Sequence, residues 1–238
     1  SGYYTTIEDQ SKVISFYDDT RSSFTNFAMS GIDKVHFGLE AAVSIPIYHT
    51  LALNGAVSWG QYTYDSNPYY LQTQDNSGDI VSDGYVYWKD FRVESTPQTA
   101  VNVGLSWRSN NNIYLSADFN YYNNMYLSMS PIYRTDAVIT GGMAPGDIEH
   151  LRRQEKFDSA YTLNASIGKN WYIHRKYTLG FSLDVKNILN NQDIKTGGYE
   201  QTRLSKNTET TVTTYQAFDS KYFYMFGTTY YLNLYFRF

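Results

Sequence analysis

The 238-residue chain has no cysteine, which excludes disulfide scaffolds, thiolate zinc sites and cysteine nucleophiles. Charge is scarce too. Charged residues make up 18%, below the usual quarter, and 19 Lys and Arg against 23 Asp and Glu leave a net charge of -4. A nucleic-acid binder that works by counterion release needs the opposite balance. No stretch nears the ~18 consecutive apolar residues of a spanning helix, and the mean hydropathy is -0.47. A membrane-spanning β-strand is not excluded, because half of its residues face away from lipid. The opening Ser1-Gly2-Tyr3-Tyr4 has neither the basic nor the apolar region of a secretory leader, so the chain reads as a mature protein or a piece of one. What is abundant is aromatic: 25 Tyr, 13 Phe and 4 Trp, 18% of the chain.

Helical periodicity is nearly missing, and period-two alternation runs almost throughout. Val35, Phe37, Leu39, Ala41, Val43 and Ile45 alternate with His36, Gly38, Glu40, Ala42 and Ser44. The same pattern recurs over 51–59, 101–107, 115–121, 161–168, 179–185 and 230–238. Alternation alone also fits a soluble sandwich. The polar face is more telling, because it carries Asp, Asn, Glu, Arg and Gly rather than the Lys, Glu and Thr of a solvated sheet. Aromatics gather toward the strand ends of the apolar face, as a membrane girdle requires.

The connections sort by length. Short ones are expected near 46–49, 108–112 and 172–176, and long ones near 10–30, 66–90, 123–157 and 190–221, alternating along the chain. Outer-membrane barrels have short periplasmic turns and long extracellular loops; a sandwich has no reason for that sorting. The fold class expected is all-β, an antiparallel transmembrane β-barrel. Eight strands are expected, at about 2–9, 31–45, 50–64, 91–107, 113–122, 158–171, 177–188 and 224–238. An inward face rich in Gly, Ala and Ser underfills a narrow barrel, which favours an arc of a wider one.

Several segments carry a resemblance. Val185-Lys186-Asn187-Ile188-Leu189-Asn190-Asn191 resembles the end of the penultimate strand of TonB-dependent receptors, and Thr196-Gly197-Gly198-Tyr199-Glu200-Gln201-Thr202-Arg203 resembles a loop of their Bacteroidetes branch. The segment 220–238, ending Tyr235-Phe236-Arg237-Phe238, resembles their closing strand, including the terminal aromatic read by the outer-membrane insertion machinery. Ser95-Thr96-Pro97-Gln98 and Ser130-Pro131-Ile132-Tyr133-Arg134-Thr135 fit the same branch. The chain thus resembles the C-terminal part, residues 1–238, of a SusC/RagA-like TonB-dependent outer-membrane receptor, an arc of a 22-stranded barrel without the plug and earlier strands. The resemblance implies active uptake of a glycan, peptide, cobalamin or iron chelate in the bacterial cell outer membrane. Implied partners are outer-membrane lipid, the remaining strands and plug, TonB through that plug, and a surface-exposed lipoprotein. The alternatives are a self-contained eight-stranded anchor or adhesin, and a secreted carbohydrate-binding β-module.

No catalytic constellation is visible, and no enzyme activity or cofactor is expected. His36, His49, His150 and His174 lie in separate segments without metal-ligand spacing. Asp75-Asn76-Ser77-Gly78-Asp79 starts like a calcium loop but lacks the following Gly and the distant Glu, so a surface loop is the plainer reading. The segment 147–156 reads as a short solvated helix with opposite charges three and four apart. Tyr69, Tyr70, Trp88, Tyr122 and Tyr126 are the candidate substrate contacts, since aromatic rings offer both stacking and apolar faces; forming the upper girdle is their plainer role. Arg134 is a sixth candidate, for an anionic group or, more simply, for a neighbouring acid.

Overall fold

The computed structural model describes residues 1–19, 21–94, 96–141, 145–174, 176–207 and 214–238. It is all-β and antiparallel. Ten strands form one sheet: β1 (Gly2–Asp18), β2 (Ser23–Tyr48), β3 (Leu51–Tyr64), β4 (Tyr69–Gln74), β5 (Ile80–Tyr85), β6 (Thr99–Arg108), β7 (Ile113–Asn123), β8 (Ala160–Ile173), β9 (Tyr177–Lys186) and β14 (Thr229–Arg237). Two small hairpins stand apart: β10 (Lys195–Tyr199) with β13 (Lys221–Tyr224), and β11 (Leu204–Asn207) with β12 (Thr214–Ala217). Among the described residues helix is confined to a 3-10 turn at Ile132–Arg134, α1 (Asp136–Ile139) and α2 (Pro145–Arg152).

A wall of consecutive neighbours runs β1-β2-β3-β6-β7-β8-β9-β14. Tight turns at 49–50, at 109–112 and after Ile173 close one end, the lower. Left-handed Asn112 (φ 57°) and His174 (φ 51°) make two of them, a conformation that Asn and His adopt more readily than most residues. Pro46 sits in β2 beside a register shift between Pro46 and Tyr48, where a missing N–H does least harm. At the upper end the β3–β6, β7–β8 and β9–β14 connections are long.

The expected loop at 10–30 is instead a hairpin. β1 continues to Asp18 and β2 begins at Ser23, with register shifts between Ile7 and Lys12 and a left-handed Asp9 (φ 55°). The bulge flips the alternation: Ile7 shares a face with the odd residues Tyr3 and Thr5, while Ile14 and Phe16 turn into the core. A period-two reading breaks at that point. The upper part of β2 then pairs β4, and β4 pairs β5, so a four-stranded extension rises above the wall. Two more expectations need correction. Strand β6 starts at Thr99 rather than 91, and the stretch 224–238 splits into β13 and β14 around 225–228.

The buried core lies above the wall rather than on it. Phe27, Met29, Ile32, Tyr64, Tyr70, Val86, Trp88 and Met129 form one cluster; Tyr133, Val138 and Leu151 form a second. The wall is a single layer. Its apolar face holds Leu39 (61% exposed), Val43, Val57, Val103, Phe119, Leu232 (60%) and Leu234 (71%), with none of the described residues packed over them. Two rows of aromatics bound that face. The upper row includes the pairs Phe37–Trp59 and Phe119–Tyr161, each 6.1 Å between centroids. The lower row holds Trp171 and the chain Tyr177–Phe236–Phe238, at 5.7 and 6.3 Å.

Polar residues ladder across the other face. Ser44 Oγ donates to Asn54 Oδ1 (2.7 Å) and Asn54 Nδ2 to Ser106 Oγ (3.3 Å); Asn102 Nδ2 donates to Asn120 Oδ1 (2.8 Å), and Asn120 Nδ2 to Thr162 (3.4 Å). The glycines there are filled notches. A methyl at Gly168 would overlap the Tyr114 ring, and one at Gly180 would overlap the Tyr235 ring, whose hydroxyl bonds Asn170.

Candidate functional site

Four excursions leave the upper end of the wall: the β1–β2 extension, 65–98, 124–159 and 187–228. Together they build a cap, and side-chain bonds tie each to the next. The Gln154 amide brackets the Arg92 backbone, accepting from its N–H (2.9 Å) and donating to its carbonyl (2.7 Å). This joins the second excursion to the third. Arg134 and Glu200 join the third to the fourth, through a fork of Nη1 to Oε2 at 2.5 Å and Nη2 to Oε1 at 2.9 Å. Arg203 and Asp19 join the fourth back to the first, at 2.8 and 3.0 Å. The β2–β4 ladder closes the ring.

The hub of the ring is Arg134, whose side chain is fully buried. Beyond Glu200 it donates to the carbonyls of Ser130 (3.0 Å) and Arg153 (3.3 Å) and lies 5.4 Å over the Phe91 ring. Glu200 also accepts from the Ser130 N–H at 2.8 Å, and Tyr133 Oη donates to the Arg203 carbonyl at 2.9 Å. The two loop motifs 130–135 and 196–203, separated by sixty residues of ordinary sequence, are therefore two halves of one clasp. Burial, with Glu200 nearby, pushes the Tyr133 phenol up to about 12.

Two further motif side chains, Asn187 and Gln98, and Glu94 beside the 95–98 motif hold cap to wall. Asn187 is left-handed (φ 52°) and 4% exposed. It donates to the carbonyls of Asn191 (2.9 Å) and Phe226 (3.0 Å), so the end of β9 is locked to the start of β14. Gln98 donates to the Tyr62 carbonyl at 3.1 Å and accepts from its N–H at 3.3 Å, extending the β3 ladder past the strand. Of the 95–98 motif, Ser95 lies outside the described residues. Glu94 accepts from Tyr64 Oη (3.0 Å) and Ser128 Oγ (3.4 Å); burial, then that carboxylate, holds the Tyr64 phenol far above its ordinary range.

The six candidate contacts do not form one site. Tyr70 is stacked on Phe27 at 4.6 Å, and Trp88 packs on Tyr64 at 4.8 Å; both are 1% exposed. These two and Arg134 are covered by the chain itself and lie in the core of the cap. Arg134 takes the acid-pairing role. Tyr69 is exposed, T-shaped to Tyr85 at 5.5 Å, and donates to Asp83. Tyr126 is half-buried in a bridge to Lys156. Tyr122 stands on the polar face at the top of β7. With Glu40, Asn102 and Asn120 it bounds an open trough of about 790 Å³ floored by Ala42, Ala56 and Ala100.

The Asp75–Asp79 segment is the turn of the β4–β5 hairpin, where Gly78 (φ 69°) donates to the Gln74 carbonyl at 2.8 Å. Among the described residues no three His, Asp or Glu side chains gather around one point. The 147–156 helix runs instead over Pro145–Arg152, and it is docked rather than free, with Leu151 buried. No model of a protein family and no curated protein matches the chain.

Proposed function

We propose that this chain is wall and extracellular cap of a TonB-dependent outer-membrane transporter, and that it does no chemistry itself. The observation that carries the reading is an apolar sheet face without a second layer, edged by two aromatic rows. In water such a face associates or aggregates; a sheet in a soluble domain covers it with another layer. Lipid covers it without any protein. From Tyr161 to Trp171 is ten residues, about 34 Å along a strand. A tilt of about 40° reduces that to about 26 Å of height, close to the apolar band of an outer-membrane barrel. The polar face, with Glu40, Asn54, Asp118, Asp184 and Arg237, then lines a lumen.

The open edges support an arc over a small barrel. Among the described residues β1 pairs only β2, and β14 only β9. Among the described residues no second sheet lies over the apolar face, which disfavours the secreted module. The uptake role, the plug, TonB and a surface lipoprotein come from the motif resemblance, and the substrate stays open among glycan, peptide, cobalamin and iron chelate. The natural lack of cysteine gives a clean test. Single cysteines at Leu39, Phe181 and Leu232 should react with a lipid-soluble label and resist an impermeant one, in outer-membrane vesicles. Asn54 and Asp118 should show the reverse. Equal labelling of both sets by the impermeant reagent would sink the reading. The transport role is tested by loss of uptake on deleting TonB.

A further inference from the structure

The chain as a whole is acidic, yet its charges are unevenly placed. The segments that make the three lower hairpins and the last strand, 41–64, 96–117, 159–183 and 225–238, contain no Asp or Glu. They contain Arg108, Lys169, Arg175, Lys176 and Arg237. The lower end is therefore basic, with no acidic side chain of its own to pair these cations. By register Arg108, opposite Tyr114, and Arg237, opposite Thr178, belong to the polar face.

Lys169 is on the other face. It stands in the cross-strand row Ile113–Lys169–Phe181–Leu234, whose other members are all apolar. Its ammonium lies 5.1 Å over the ring of Trp171, two residues nearer the lower end. Lys176, in the β8–β9 turn, lies 5.3 Å over the ring of Tyr177. Both rings belong to the lower aromatic row. Trp171 and Lys176 are exposed and Lys169 is half-buried, so the pair is open to whatever lies beside the wall. Neither lysine has an acidic partner among the described residues.

A cation on a lipid-facing strand is costly at mid-depth and nearly free at the interface. Lysine reaches the interface by laying its stem along apolar surface, and two residues are about 7 Å of strand. The ring beside each ammonium meets it from one side, and an ammonium has three N–H groups to satisfy. Above the lysines the face is aliphatic, with Ile167, Leu183 and Leu232 in one row. A ligand that fits both parts joins a phosphate to hydrocarbon, as a phospholipid does. A zwitterionic headgroup brings an amine as well, and this rim offers no acidic side chain to receive it.

We propose that Lys169 and Lys176 hold the phosphate of an anionic phospholipid with an amine-free headgroup, whose acyl chains lie along Ile167, Leu183 and Leu232. The proposal rests on the reading of the wall as membrane-spanning and adds a specific lipid to it.

Native mass spectrometry of the intact protein in detergent, supplied with equal amounts of phosphatidylglycerol and phosphatidylethanolamine, counts the lipids retained. Phosphatidylglycerol is expected in an excess of about fivefold or more, given two lysines near an anionic headgroup. Lys169→Gln combined with Lys176→Gln should bring the two lipids to parity with an unchanged melting temperature. Lys176→Gln alone, in an exposed turn, should lower the excess about twofold and reads the site even where the double variant does not fold. Lys169→Arg with Lys176→Arg should keep the excess, and so should Arg108→Gln with Arg237→Gln on the polar face of the same rim. Parity in the unaltered protein, an excess that survives loss of both lysines, or an equal fall in the Arg108 and Arg237 variant would overturn the site. Displacement of the lipid by an equal concentration of glycerol 3-phosphate would assign the lysines to a soluble phosphate and overturn it too. None of these results changes the cysteine labelling expected of Leu39, Phe181 and Leu232, whereas failure of the wall reading shows in that labelling directly.

Discussion

Arg134 and Glu200 show what single residues contribute here. A guanidinium taken wholly out of water keeps its charge only while a carboxylate and carbonyls replace the hydration it lost. Removing the acid alone, as in Glu200→Ala, should destabilise the cap by about 3–5 kcal/mol. Replacing both, as Arg134→Met with Glu200→Leu, should recover most of that loss. Amide exchange across 130–135 reads both; equal protection in wild type and Glu200→Ala would show that the fork holds nothing. Sequence alone offered acid pairing for Arg134 but could not name the acid, since the pairing depends on how two long excursions cross. The phenol of Tyr133 gives a pH signature with a definite sign. Its folded pKa of about 12 stands above the ordinary 10.0, so the folded state holds the proton more tightly than the unfolded one. That contribution is whole below about pH 10 and is lost as pH rises toward 12. Burial pushes Tyr64 and Tyr70 the same way. Phenolate absorbance should therefore rise together with loss of cap structure in that window. Ionisation of all tyrosines near pH 10 with the cap intact would contradict the assignment.

At the scale of elements, the strands that alternate without interruption were legible. β3, β7 and β9 fall within two residues of their expected bounds, because each presents one face to a single environment along its whole length. The misread elements have a physical cause in common. In the β1–β2 hairpin a bulge inverts the alternation, and above it the two faces change environment, the inner one burying Ile14, Phe16, Phe27 and Met29. The hairpins β4–β5 and β10–β13 are short and stabilised by tertiary pairing, so local pattern says little about them. The candidate site fared similarly. Aromatic type marked Tyr70 and Trp88 as notable, yet whether a ring faces ligand or core depends on packing that composition does not encode. Glycine content read as empty lumen, whereas Gly168 and Gly180 are seats for Tyr114 and Tyr235 on neighbouring strands. Gly180→Val should force Tyr235 off its seat and cost about 1–3 kcal/mol, the range for overpacking. The thermal unfolding midpoint of the purified protein in detergent would report this; no change would mean that the ring moves aside freely.

For the whole molecule, the division between a cored cap and a coreless wall assigns different solvents to the two. If lipid faces the wall, Leu232→Arg or Phe181→Arg near mid-depth should each cost about 2–4 kcal/mol, whereas charges added on Asn54 or Asp118 should cost far less. The two sheet edges make a stronger demand. In hydrocarbon every unpaired N–H and C=O costs several kcal/mol, so the outer edges of β1 and β14 must each find a strand. Either they find each other, which closes a narrow barrel, or each finds other polypeptide. Cysteines at Thr5 and Asn233 separate these outcomes, since both sit on the polar face near mid-wall, β1 at one edge and β14 at the other. In the intact protein in its native membrane they should give no disulfide under mild oxidation. The control pair Ser182→Cys and Asn233→Cys, opposed in the β9–β14 ladder, should cross-link readily under the same conditions. A Thr5–Asn233 disulfide in good yield would close the sheet on itself at eight strands, leave no room for a plug, and turn the protein from a transporter wall into a small membrane anchor.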